Sequence, residues 1–187
     1  NADITGVRTA MQDTDMYAAA ISRMGDLEIV LIGENTVRTG TAVDDASSYA
    51  VYAGSNVYSG TNGHVLRISG TGILIAESSD LNVVNTDKSL NSAGIFAANS
   101  LIIEEGVTVF ATGGEAQDPN CSSSGICAGY NGVGTVSLSG NIAATGRKAT
   151  ESYGIRIGGT GSGDMDVTLS GTIYAAGQGF TAPPSYN

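Results

Sequence analysis

Five segments of the chain restate one short pattern: LEIVLIG, HVLRISG, SLIIEEG, TVSLSG and DVTLSG. Each alternates apolar residues and then reaches a glycine. The apolar pairs are Ile29/Leu31, Leu66/Ile68, Leu101/Ile103, Val136/Leu138 and Val167/Leu169, and their second members recur at intervals of 37, 35, 35 and 31 residues. A repeat of this length decides the class of fold, because each unit is one supersecondary element that cannot bury its apolar side alone.

After each glycine comes a second short apolar strand, beginning near Val37, Ile73, Val107, Ile142 and Ile173. Before the first segment lies another, written YAVYA, SAGIFA, SSGICA and SYGIRI, with inward positions at Val51, Ile95, Ile126 and Ile155. MYAAAIS fills that slot in the first unit with a less clear register. Each unit thus holds three period-2 strands. Stacked units pair each strand with its equivalent in the next one, which satisfies the backbone and builds apolar ladders down the axis. The expected fold is all-β: a right-handed parallel β-helix, a three-sided solenoid of about five coils. Helical repeats need a 3.6 period over ten or more residues, which no window shows.

A single domain over residues 1–187 is expected, with a cap or partial coil at 1–15, repeats over 16–177 and a tail at 178–187. The variable stretches, roughly 38–48, 76–92, 112–123 and 145–152, fall at one corner, between the third strand of one coil and the first of the next. Insertions aligned on one side are where repeat proteins commonly bind. The stretch 76–92 is long enough for an extra strand. The last repeat ends without a covering helix, and open edges invite pairing. That end is expected to meet either the remainder of a longer chain or an end-to-end partner.

The 27 glycines, 3 prolines and absence of tryptophan suit short strands and glycine turns. Eight Lys+Arg stand against eighteen Asp+Glu, a formal charge of −10. Such a surface repels nucleic-acid phosphates and anionic membranes. No apolar run approaches the roughly 20 residues that cross a bilayer, so no membrane insertion is expected. Cys121 and Cys127 in CSSSGIC either close a short loop as a disulfide, implying an oxidising compartment, or are two free thiols.

The YGI strands, the VxLSG strands and the strands ending in ATG resemble two groups of bacterial surface proteins. One is the extracellular carbohydrate-binding β-helix domain of Gram-positive anaerobes, to which SAGIFAANSLIIEEGVTVFATGG (92–114) is most similar. The other is the autotransporter passenger domain, which VSLSGNIAATG and VTLSGTIYAAG resemble. The resemblance covers residues 16–177 and implies an extracellular location, at the bacterial surface or secreted. It implies plant-polysaccharide and Ca²⁺ binding only in general, since the shared motifs are core and turn positions.

Alternation places Tyr52, Phe96, Cys127 and Arg156 in one outward column of the first strand. Tyr52 and Phe96 could stack on a sugar ring or be covered by the 76–92 loop. Tyr58, Tyr130 and Tyr174 are further candidate sugar contacts. Tyr49 and Tyr153 hold equivalent places and are expected to pack at a corner. Asp44/Asp45 and Asp164/Asp166 sit in or near turns, where aspartate caps its own backbone; the sharper reading is a Ca²⁺ site of hard oxygen ligands. A polysaccharide lyase would need converging carboxylates and a poised base, and no Asp/Arg pairing recurs on one face. Two-carboxylate glycoside hydrolysis meets the same difficulty. His64 is read as structural, and IGGTGSGD (157–164) as a turn. The expectation is a non-enzymatic binding or adhesin domain for polysaccharide or host and cell-surface glycan, needing no cofactor. Its rivals are a stalk segment and a polysaccharide-active enzyme.

Overall fold

The computed structural model describes residues 2–6, 8–12, 15–40, 43–54, 63–84, 89–116, 118–159 and 163–179, with the backbone alone for 6, 8–12, 15 and 16. Among them are seventeen strands and no helix. Two lead the chain: β1 (Ala2–Gly6) and β2 (Arg8–Gln12). Five coils of three strands follow: β3 (Asp15–Arg23), β4 (Leu27–Leu31) and β5 (Glu34–Thr39); β6 (Ala46–Ala53), β7 (Val65–Gly70) and β8 (Ile73–Glu77); β9 (Asn91–Ala97), β10 (Ser100–Ile103) and β11 (Thr108–Thr112); β12 (Ser122–Ala128), β13 (Gly134–Leu138) and β14 (Asn141–Ala149); β15 (Glu151–Ile157), β16 (Met165–Leu169) and β17 (Thr172–Gly179). First strands stack on first strands, second on second and third on third, giving three sheets of a parallel β-solenoid.

The leading residues form a partial coil. β1 stacks parallel on β5, whereas β2 runs antiparallel to β3 and closes that edge. Among the described residues the second sheet has no such extra strand, so β4 is its edge. At the other end β15, β16 and β17 are all edges. There the inward ladder surfaces, and Leu169 is 57% exposed.

The core is a set of columns. Leu66, Leu101, Val136 and Val167 stand in register, as do Ile68, Ile103, Leu138 and Leu169. Ile21, Val51, Ile95, Ile126 and Ile155 form the first-sheet column. Two expected registers are corrected. In the first coil Leu27 and Ile29, not Ile29 and Leu31, pair with Leu66 and Ile68. LEIVLIG has three alternating apolar residues, and a two-residue slip keeps every one of them on its face. In the third sheet the inward residues are Leu74, Val109, Ile142 and Ile173, with Ile73 opposite Thr108 and facing outward.

The glycine of the YGI motif has a packing cause. Ala20, Ala50, Gly94, Gly125 and Gly154 occupy one column, where the first sheet closes on the end of the third. A Cβ on Gly125 would lie 2.4 Å from the Thr145 nitrogen and 2.7 Å from the Ala111 carbonyl oxygen. All the neighbours are backbone, so from the third coil on nothing larger than hydrogen fits.

The connections after the third strands vary as expected. Those between first and second strands vary as well, from 98–99 in the third coil to 54–64 in the second, so insertions occupy two corners rather than one.

Candidate functional site

The expected binding corner is ordered by a column of serines. Ser48, Ser92, Ser123 and Ser152 stand in register near the start of each first strand. Each hydroxyl oxygen accepts a backbone N–H from the end of its coil's third strand or from the residues just after it. The donors are Ser79 (3.2 Å), Gly114 (2.8 Å), Arg147 (2.9 Å) and Gln178 (2.7 Å). Beyond these anchors the loops continue the stacking. Asp45 N–H donates to the Asn82 carbonyl, Leu81 N–H to Glu115 and Ala116 N–H to Lys148. Leu90, Ala116, Cys121 and Ala149 form a small separate core there, with Leu81 and Val83 packed on it.

Among the described residues, the 76–92 loop packs on this small core and not on the ring column, and its one ladder contact is a single parallel bridge, Asp44 to Asn82. Asp44 and Asp45 serve that loop. The Asp44 carboxylate accepts from the Asn82 amide, and Asp45 accepts from Val84 N–H at 2.8 Å. Asp45 takes a left-handed φ of 53°, a turn conformation that aspartate tolerates. Asp164 and Asp166 are exposed at the opposite end of the solenoid. Among the described residues no three His, Cys, Asp or Glu side chains gather as a set able to hold a metal ion. A cleft of about 410 Å³ between the corner loops is lined by Asp80, Asn82, Glu115 and Asp118, with Leu81 and Val83. Asp80 there accepts Glu115 N–H at 2.8 Å, and Asp118 accepts Asn120 N–H at 3.0 Å.

Tyr52 and Phe96 do stand in one column with Cys127 and Arg156. As exposed sugar platforms they are corrected: each is only 4% exposed. The rings pack on one another. Tyr52 stacks on Tyr17 with centroids 4.5 Å apart and on Phe96 at 5.4 Å, and Tyr49 lies 4.7 Å from Phe96. Such pairs add stability beyond the area they bury. Alternation shows that these rings point outward but not that they cluster. Tyr130 is half-buried at the end of this row, 5.5 Å from Phe96. The Arg156 guanidinium lies over both Tyr130 and Tyr153 and pairs with Glu151 at 3.6 Å. Tyr153 and Arg156 line a shallow hollow of about 620 Å³ floored by glycines. Tyr49 and Tyr153 do share one register position. Tyr58 lies outside the described residues.

Of the two alternatives for the cysteines, the structure has the free thiols. Cys121 and Cys127 are both free and buried. Cys121 precedes β12 and Cys127 lies near its end. At ~3.3 Å per residue an extended chain holds them about 20 Å apart, far beyond the roughly 4.4–6.8 Å that a disulfide spans between Cα atoms. Burial pushes the Cys127 thiol up to about 12, with the nearby Arg156 opposing. His64 sits 3.4 Å from Asp26. The Asp26 carboxyl is held below its usual range first by the Val65 N–H bond and then by His64.

One expected contact residue, Tyr174, proves exposed at 64%, and it has a companion that the motif reading missed. Phe110, 45% exposed, stands in its column on the outer face of the third sheet, in the order Ile75, Phe110, Ala143, Tyr174. Aligning VFATG with IYAAG would have found it, since both rings follow the inward apolar residue of the third strand. On one side the flanking column holds Thr108, Asn141 and Thr172; on the other it holds Thr112 and Thr145. No charged residue occurs within 108–112, 141–145 or 172–176. The patch is an aromatic strip with a neutral hydrogen-bonding rim, on the face adjoining the loop corner.

Comparison with models of protein families, with curated proteins and with solved structures finds no match for this chain.

Proposed function

We propose that the chain is a non-catalytic carbohydrate-binding domain of the bacterial cell surface or secreted fraction, acting as an adhesin toward polysaccharide or cell-surface glycan. Its binding face is the outer face of the third sheet. The observation that carries this reading is the exposed pair Phe110 and Tyr174 on one column of the parallel third sheet. A sugar ring presents an apolar C–H face and a polar edge, so it is held by an aromatic platform with hydroxyls and amides beside it. Thr108, Asn141, Thr172, Thr112 and Thr145 supply that rim.

The other concave sites support the reading less. The corner cleft offers carboxylates but no ring. The Arg156 hollow has its guanidinium engaged by Glu151 and two tyrosines. Catalysis finds little support in carboxylates committed to arginines and loop amides: Glu77 to Arg38, Glu104 to Arg67, Asp80 to Glu115 N–H. A Ca²⁺ ion would act, on this reading, as a corner-loop ligand and not as a catalyst.

A second reading, a spacer that holds other domains outward, is favoured by the parallel stacking of all three sheets along one axis. A glycan array probed with and without Ca²⁺ separates the two. The binding reading expects glycan signal that falls to background in the Phe110→Ala/Tyr174→Ala variant while its thermal midpoint stays within about a degree of the parent, as surface substitutions usually do. Silence toward every glycan under both conditions would refute it and leave the spacer.

A further inference from the structure

The geometry points to a particular class of sugar polymer at this face: a neutral, ribbon-like glycan joined through equatorial β-linkages and lying along the solenoid axis. This inference rests on the carbohydrate-binding reading above. Phe110 and Tyr174 are separated by one strand, β14, whose residue in the column is Ala143. Neighbouring strands lie ~4.8 Å apart, so the two ring-bearing positions are about 9.6 Å apart along the axis. That is the span of a disaccharide. In an equatorially linked ribbon successive sugars are flipped, so every second ring offers the same face. A chain in this direction would lay alternate sugars on the two aromatic rings. The intervening sugar would pass over Ala143, whose single methyl leaves room. A helically coiled α-linked glucan turns its rings away from one line and could not reach both platforms.

The rim sets the rest of the specificity. Threonine and asparagine flank the strip from the third coil to the fifth, so hydroxyls are met by neutral donors and acceptors. The nearest charged pair on this face is Arg38 with Glu77, in the first two coils, already joined at 2.6 Å. Arg147 and Lys148 lie past the rim at the end of β14, Arg147 3.8 Å from Asp80, and the formal charge of −10 makes the protein as a whole repel a uronate polymer.

Calorimetric titration of the 187-residue chain with cello-oligosaccharides from disaccharide to hexasaccharide tests this. Affinity should rise about tenfold between the disaccharide and the trisaccharide, where the second ring is first reached, and then level off. Malto-oligosaccharides and oligogalacturonates should bind at least about tenfold more weakly than the matching β-linked series. The decisive variant is Phe110→Ala/Ala143→Phe, which keeps two exposed rings but sets them one strand apart, at ~4.8 Å. It should still bind the disaccharide and lose the step. Persistence of the step in that variant, or equal binding of the α-linked or charged series, would overturn the assignment of class. If such binding nonetheless vanished in Phe110→Ala/Tyr174→Ala, the sugar-binding face itself would stand. No binding of any of the three series, with an array silent as well, would overturn both.

Discussion

Ser123→Ala isolates what one rung of the serine column contributes. Ser123 is fully buried, and its hydroxyl accepts the Arg147 N–H at 2.9 Å where β14 leaves the sheet. Removing the oxygen leaves that amide without its acceptor. Water cannot replace it, because the space is closed: a Cβ on Gly113 would lie 2.6 Å from the hydroxyl, and one on Gly146 2.6 Å from the Ser123 carbonyl oxygen. A buried donor stripped of its partner costs about 1–3 kcal/mol. For a chain of this size that lowers the thermal midpoint by roughly 2–4 °C per kcal/mol. The column also predicts an order. Ser92→Ala should cost more, because Ser92 also meets Ser78 Oγ at 2.6 Å and donates to the Ser79 carbonyl. Ser152→Ala should cost less, since Ser152 is itself only half-buried and its bond to Gln178 N–H is exposed, so water can serve that amide. Ser137→Ala, on the outer face of β13, is the control and should stay within about 0.5 kcal/mol. Urea unfolding followed by circular dichroism gives the four values. If Ser123→Ala unfolds at the same urea concentration as Ser137→Ala, with the same slope, the column does not anchor the loops.

Two further substitutions or treatments probe the fold. Gly125→Ala places a methyl against the backbone of Thr145 and Ala111, so it should cost at least the roughly 1–3 kcal/mol of core overpacking and shift the urea midpoint accordingly; a parent-like midpoint would mean that the two sheets do not close on this column. Cys121 and Cys127 should show no thiol reaction in the native protein at mild alkaline pH and two in denaturant without reductant. Because burial raises the Cys127 value, the neutral thiol is the form the fold favours. Its contribution is intact below the ordinary thiol range and is lost as pH climbs from there toward about 12. No thiol in denaturant would instead mean a disulfide between them, and with it a different path for β12.

Much of this architecture is legible in the chain because the core columns repeat. Leu66, Leu101, Val136 and Val167 could be aligned by eye, and the structure stacks them so. Errors entered where the pattern is degenerate. A slip of two along LEIVLIG changes no face, and only hydrogen bonding selects Leu27 opposite Leu66. Outward positions are harder for another reason. Alternation assigns a side but not a neighbour, so it cannot distinguish Tyr52, locked against Tyr17 and Phe96, from Tyr174, which stands free of the ring row. The serines of the anchoring column coincide with the ends of the variable stretches. A polar residue at a loop boundary is so ordinary that its buried, repeated role shows only once the coils are stacked.

Two aromatic residues on an outer column contribute little to this fold. The ladders of Leu, Ile and Val are complete without them, and threonine or serine fills comparable outward positions such as Thr108 and Ser137. The first-sheet rings lie buried against one another and stabilise the solenoid, whereas Phe110 and Tyr174 keep about half or more of their surface in water. Exposed apolar area in register, beside neutral neighbours, is a liability for a sheet unless something lies on it. The requirements of the solenoid explain the first ring row and leave the second without a structural role, which is the observation the proposed glycan face accounts for.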